Sequence, residues 1–144
     1  MAYRLVKDPQ DVQVELLPLN SVTTVPGSLL ERTAGTTTWA LTTSSSDYFT
    51  QKAVAIEAVT SGTEVKAILV TSDQLWEADL TNNSSATHNG DRMAATDSVT
   101  VNNSASDVTG QAVVFVQDNP TGAAADKTSV GRILVGNGVD PDAS

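Results

Sequence analysis

The chain has 144 residues and no cysteine, 40% of it apolar, with eight Lys and Arg against seventeen Asp and Glu for a net charge of −9. That length and apolar share predict one domain with its own core, while the missing cysteines exclude disulfides, thiolate metal sites and a thiol nucleophile. The few scattered cations exclude a nucleic acid or an anionic membrane as partner, since both are bound by clustered Lys and Arg.

Residues 3–6 alternate weakly and end at Asp8-Pro9, a turn signal. Val12, Val14 and Leu16 then alternate with Gln13, Glu15 and Leu17, the period-two pattern of a half-buried strand. Pro18, Pro26 and Gly27 punctuate the next stretch, and Leu29-Leu30 and Trp39-Ala40-Leu41 are short apolar pieces among Thr, Gly and Ser. Residues 1–50 read as an extended arm, partly strand, that finds its contacts on a neighbour. Tyr3, Leu5, Val12, Val14, Leu16, Leu29, Leu30 and Trp39 are its candidate interface residues. Trp39 is weighed as an anchor among them, because Trp is enriched at binding hot spots, against the plainer reading of a packed residue.

From Lys52 the pattern sharpens. Residues 54–59 and 65–71 alternate on either side of Ser61-Gly62-Thr63, which predicts a β-hairpin. Trp76, Ala78 and Leu80 alternate with Glu77 and Asp79, predicting a strand with Trp76 in the core. Residues 82–90 are a polar loop, and Val99 and Val101 mark a short strand. Residues 112–116 form an apolar run of strand length, closed by the turn chemistry of Asp118-Asn119-Pro120-Thr121-Gly122. Residues 129–135 make a last strand, and residues 137–144 a flexible tail. Short strands broken by frequent turns predict an all-β fold, a small barrel or sandwich of about six to eight mainly antiparallel strands. The body spans residues 51–136. With no apolar leader and no membrane-length apolar run, a soluble chain made in a cytosol is expected.

Chemistry-bearing motifs are sparse. His88 is the one histidine, in Thr87-His88-Asn89-Gly90-Asp91. It reads as a solvated loop residue, since nothing in its surroundings would fix the ring. A small β-barrel hydrolase would require it to be ordered beside a carboxylate. No Gly-x-Ser-x-Gly elbow or phosphate-binding loop occurs. The Asp118 to Gly122 stretch lacks calcium-loop spacing and reads as a plain turn. No catalytic residue, cofactor or metal site is expected, and the chain reads as a binding or structural module.

The order from residue 62 to residue 135 carries a resemblance. An apolar hairpin leads to Leu75-Trp76-Glu77-Ala78-Asp79-Leu80 and a polar loop reaching Gly90-Asp91-Arg92-Met93. Asp97-Ser98-Val99-Thr100-Val101-Asn102 and Gly131-Arg132-Ile133-Leu134-Val135 complete the order. This resembles the small decoration (cement) proteins on the outer shell of tailed-phage capsids. The resemblance implies a non-enzymatic β-rich body, made in the host cytoplasm, that sits on the outer capsid surface of the virion. Its partners would be the major capsid protein, whose subunit contacts it stiffens, and sister copies, often as a trimer. The alternative is a head-fibre or receptor-binding module recognising a host glycan or protein, whose mark would be an exposed aromatic cluster.

Overall fold

The computed structural model describes residues 3–8, 12–33, 35–104, 108, 112–120 and 127–136. The expected 137–144 tail and the end of the expected turn at Thr121 and Gly122 lie outside them. In chain order the strands are β1 (Arg4–Lys7), β2 (Val14–Thr24), β3 (Leu29–Arg32), β4 (Trp39–Leu41), β5 (Lys52–Ala55) and β6 (Val59–Leu69). The remainder are β7 (Leu75–Asp79), β8 (Arg92–Asp97), β9 (Thr100–Asn102), β10 (Phe115–Pro120) and β11 (Thr128–Ile133). A single turn of 3-10 helix, Ala86–His88, precedes β8. The protein is all-β, as its Val- and Thr-rich composition predicts.

Five strands close a barrel in the order β2-β4-β3-β5-β6, and six form a sheet in the order β1-β7-β11-β10-β8-β9. All pairings are antiparallel except β2 with β4, which run parallel. The barrel interior holds Leu17, Leu19, Leu30, Trp39, Val65 and the small Ala53, Ala55 and Ala67. Mixing large with small inward residues is how a narrow barrel fills without strain. A second core lies between barrel and sheet, where Leu29 and Val54 meet Trp76, Met93, Phe115 and Ile133.

The adjacent Leu29 and Leu30 explain how one short strand serves two cores. Successive strand residues point to opposite faces, so Leu30 enters the barrel and Leu29 the interlayer core, both fully buried. β5 does the same at all four positions, each of them buried. Burying a side chain of this size contributes roughly 1.5–3 kcal/mol.

One expectation is corrected here. The division at residue 50 is not one the strands follow: β2, β3 and β4 are barrel walls paired with β5 and β6. Their Thr and Ser faces weaken the hydrophobic alternation without weakening the pairing. The expected hairpin forms: the β5–β6 pairs Ala53↔Leu69, Val54↔Ile68 and Ala55↔Ala67 have their midpoint at residue 61. Ile56 N donates to Lys66 O at 3.0 Å, and Glu57 Oε1 accepts from Lys66 N at 3.0 Å. Residues 61–63 also belong to β6, which pairs with β2. Ser61 and Ser21 have φ of 45° and 53°, and the β2–β6 register shifts between Pro18 and Val22. Irregularities of this kind bend and twist a long strand pair, which barrel closure needs.

Candidate interaction surfaces

The eight residues expected at an interface divide sharply. Tyr3, Leu29, Leu30 and Trp39 are buried, and Leu5 is half-buried against the interlayer core. Trp39 packs the barrel interior, so its indole is a core element, the plainer of its two readings. Its Thr-rich neighbourhood conceals this, because its apolar neighbours come from β2, β5 and β6. Val12, Val14 and Leu16 are exposed, at 43%, 49% and 56%. On β2, Leu17 and Leu19 point inward while Val14 and Leu16 point out.

A groove of about 530 Å³ runs along this part of β2, walled by Gln13, Leu16, Arg32, Trp39, Gln51 and Lys52. Lys52 is 1% exposed. Its Nζ donates to Asp47 O at 2.7 Å, Thr50 O at 3.1 Å and Thr50 Oγ1 at 2.6 Å. Burial lowers its pKa to about 8, against the smaller opposing pull of Glu31 and Asp47. The ammonium ties the 47–50 loop to the barrel.

A second groove, about 450 Å³ and mainly apolar, opens at the junction of barrel and sheet between β1 and β5–β6. Its walls include Tyr3, Leu5, Pro26, Val54, Ile56 and Trp76. Ile56, Val25 and Val6 are exposed at 43%, 49% and 54%. Sequence reasoning placed Ile56 in an alternating strand and gave Val6 and Val25 no role. β5 ends at Ala55, but Ile56 N still donates to Lys66 O at 3.0 Å, so Ile56 continues the ladder with its side chain exposed. β1 is fastened to β7 by Arg4, whose Nε donates to Glu77 Oε1 at 2.6 Å and Nη2 to Asp79 Oδ1 at 2.9 Å. Within the groove wall, Tyr3 N donates to Gly27 O at 3.1 Å. Burial first, then Asp97 and Asp79, push the Tyr3 hydroxyl's pKa well up.

His88 is better held than its loop composition predicts. Its Nδ1 lies 3.0 Å from Asp91 Oδ2, and both side chains are only about one-fifth exposed. The buried Gln117 fastens the loop: its Nε2 donates to Ser85 O at 2.8 Å and Asn89 Oδ1 at 2.9 Å. Its main-chain carbonyl accepts from Gly90 N at 2.7 Å. Asn103, also buried, donates to the carbonyls of Asn82 and Asn83. The Ser85 hydroxyl turns to Thr87 Oγ1 at 2.9 Å and not to the imidazole. The His88–Asp91 pair therefore staples a turn. Among the described residues no three His, Asp or Glu side chains group to hold a metal.

Asp118 lies on β10 and faces Arg132 across the strand pair at 3.7 Å. The expected turn there is corrected: a register shift between Gln117 and Asn119 lets the strand continue to Pro120. All six aromatic residues are described. Tyr3, Trp39, Trp76 and Phe115 are buried, and Tyr48 and Phe49 are half-buried in edge contact, with ring centroids 6.0 Å apart. No exposed aromatic cluster is formed. No protein-family model matches the chain, and no curated protein matches it.

Proposed function

We propose that this protein is a non-enzymatic structural component that binds the outer surface of a viral capsid and stabilises contacts between major capsid subunits. The observation that carries the reading is the junction groove, an apolar trough whose lining includes the exposed Ile56. Exposed apolar surface of this kind marks protein contacts. Its position also favours a clamp. One wall belongs to the barrel and the other to the β1 edge of the sheet, so a partner seated there touches both layers. The net charge of −9 favours solubility before assembly and a neutral or basic receiving surface. Many identical weak contacts on a symmetric shell sum through avidity. The lack of an aromatic platform weighs against a glycan-binding head fibre.

Co-sedimentation with expanded tailed-phage capsid shells tests this. The full chain is expected to pellet with the shells, and Ile56→Asp to reduce binding about tenfold or more while melting unchanged. Full-length protein that stays in the supernatant, or an Ile56→Asp variant that binds as well as the parent, would overturn the reading.

A further inference from the structure

The outer edge of β2 is built to receive a strand. Leu69 N donates to Gln13 O at 3.0 Å, and Val14, Glu15, Leu16, Leu17 and Pro18 face Ile68, Ala67, Lys66, Val65 and Glu64 in unbroken antiparallel register. Bonded and non-bonded positions alternate in such a ladder, so Gln13, Glu15 and Leu17 bond to β6. Val14, Leu16 and Pro18 turn their main-chain groups the other way. Pro18, with no N–H, fits such an outward position. On that side β4 meets β2 at one register pair, Leu19↔Trp39. Residues 14–18 precede it and border the 530 Å³ groove.

What fits this edge is an extended segment with apolar residues at alternate positions. It should also carry a carboxylate for Arg32 on the groove wall. Among the described residues Arg32 has no carboxylate partner; it donates to Thr36 O and Gln51 Oε1. Residues 12–18 of the chain meet each requirement, with Val12, Val14 and Leu16 exposed and Glu15 as the single charged residue. In the single chain Glu15 accepts from Gln13 Nε2 at 3.0 Å and forms no ion pair with Arg32.

We propose that the β2 edge pairs antiparallel with the same edge of a second copy, about a two-fold axis at Leu16. Each Leu16 N–H then donates to the opposite Leu16 carbonyl. Each Val14 N–H donates to the opposite Pro18 carbonyl, while the Val14 carbonyl, facing a proline without an N–H, is left to solvent, so that pair contributes one bond and not two. The two Leu16 side chains lie side by side on the outer face, and Val14 lies over the partner's Pro18. On the groove face the partner's Glu15 stands opposite Leu17, on the side where Arg32 waits. An interface of this symmetry is self-complementary and closes at two copies, so a three-copy assembly would use a different surface. The pairing does not depend on binding to a shell.

Sedimentation equilibrium of the full chain at physiological salt, from micromolar to millimolar concentration, tests it. The parent is expected to pass from monomer to dimer. Leu16→Lys places two ammonium groups across the axis and is expected to weaken association about tenfold or more, with melting unchanged. Arg32→Glu is expected to weaken it as well, and Glu15→Arg with Arg32→Glu to restore it. A parent that remains monomeric throughout overturns the proposal. So does a dimer indifferent to Leu16→Lys or to Arg32→Glu, or one that the charge swap fails to restore.

Discussion

Lys52 carries a charge into a place with almost no water, and three oxygens around Nζ make that tolerable. They do not remove the cost. Burial lowers the folded-state pKa to about 8 from the ordinary 10.5, so between those values the unfolded chain holds a proton that the folded chain has released. Stability contributed by this group therefore rises with pH across that window, and below it the full cost is present. The expected rise is on the order of 3 kcal/mol. It should be visible as an upward trend in unfolding free energy from pH 8 to 10.5 that Lys52→Met abolishes. A variant with the same alkaline trend as the parent would assign the rise elsewhere. Nothing in the sequence distinguishes Lys52 from a solvated lysine at the start of a strand. Its burial follows from β5 lying between two cores, which no local pattern reveals.

The strands differ in how much of them local pattern could show. β7, β9 and β11 were legible because Trp76, Ala78, Val101 and Val130 stand out against polar or small neighbours. β8 was not: Met93 and Ala95 are its buried residues, and Ala gives little contrast with the Ala94 and Thr96 beside it. Its identity rests on pairing with β10 and β9. β2 was legible at its start and then hidden by Pro18, which ordinarily ends a strand but here occupies an outward edge position. The β10–β11 pair depends on a close approach that only glycine permits. A Cβ at Gly131 would lie 2.0 Å from Val116 O and 2.7 Å from Phe115 Cζ. Gly131→Ala must push the two central strands of the sheet apart. It is expected to destabilise the protein by about 2–4 kcal/mol, measured by chemical denaturation; a loss under half a kilocalorie would mean that the sheet yields there without cost.

At the level of the whole molecule, the N-terminal third is structural framework. Residues 1–20 include β1, one wall of the junction groove, and half of β2, one wall of the barrel. Removing them would dismantle both layers, so surface substitutions and not truncation are the way to ask what the molecule binds. The all-β class was legible from composition, and β2 from the alternation of Val12, Val14 and Leu16, although that pattern marks an apolar face as the inward one and here Leu17 and Leu19 are buried instead. The junction groove was not, because its walls come from residues about 50 positions apart that meet only after the barrel docks on the sheet. That docking joins apolar side chains from both halves of the chain into one core, and it gives the molecule the rigidity that a clamp between capsid subunits would need. The most direct measurement is the melting temperature of expanded tailed-phage shells with and without saturating protein. A shell that melts several degrees higher when decorated, with the gain lost in the Ile56→Asp variant, is the predicted result. An unchanged shell melting temperature at full occupancy would contradict a stabilising role.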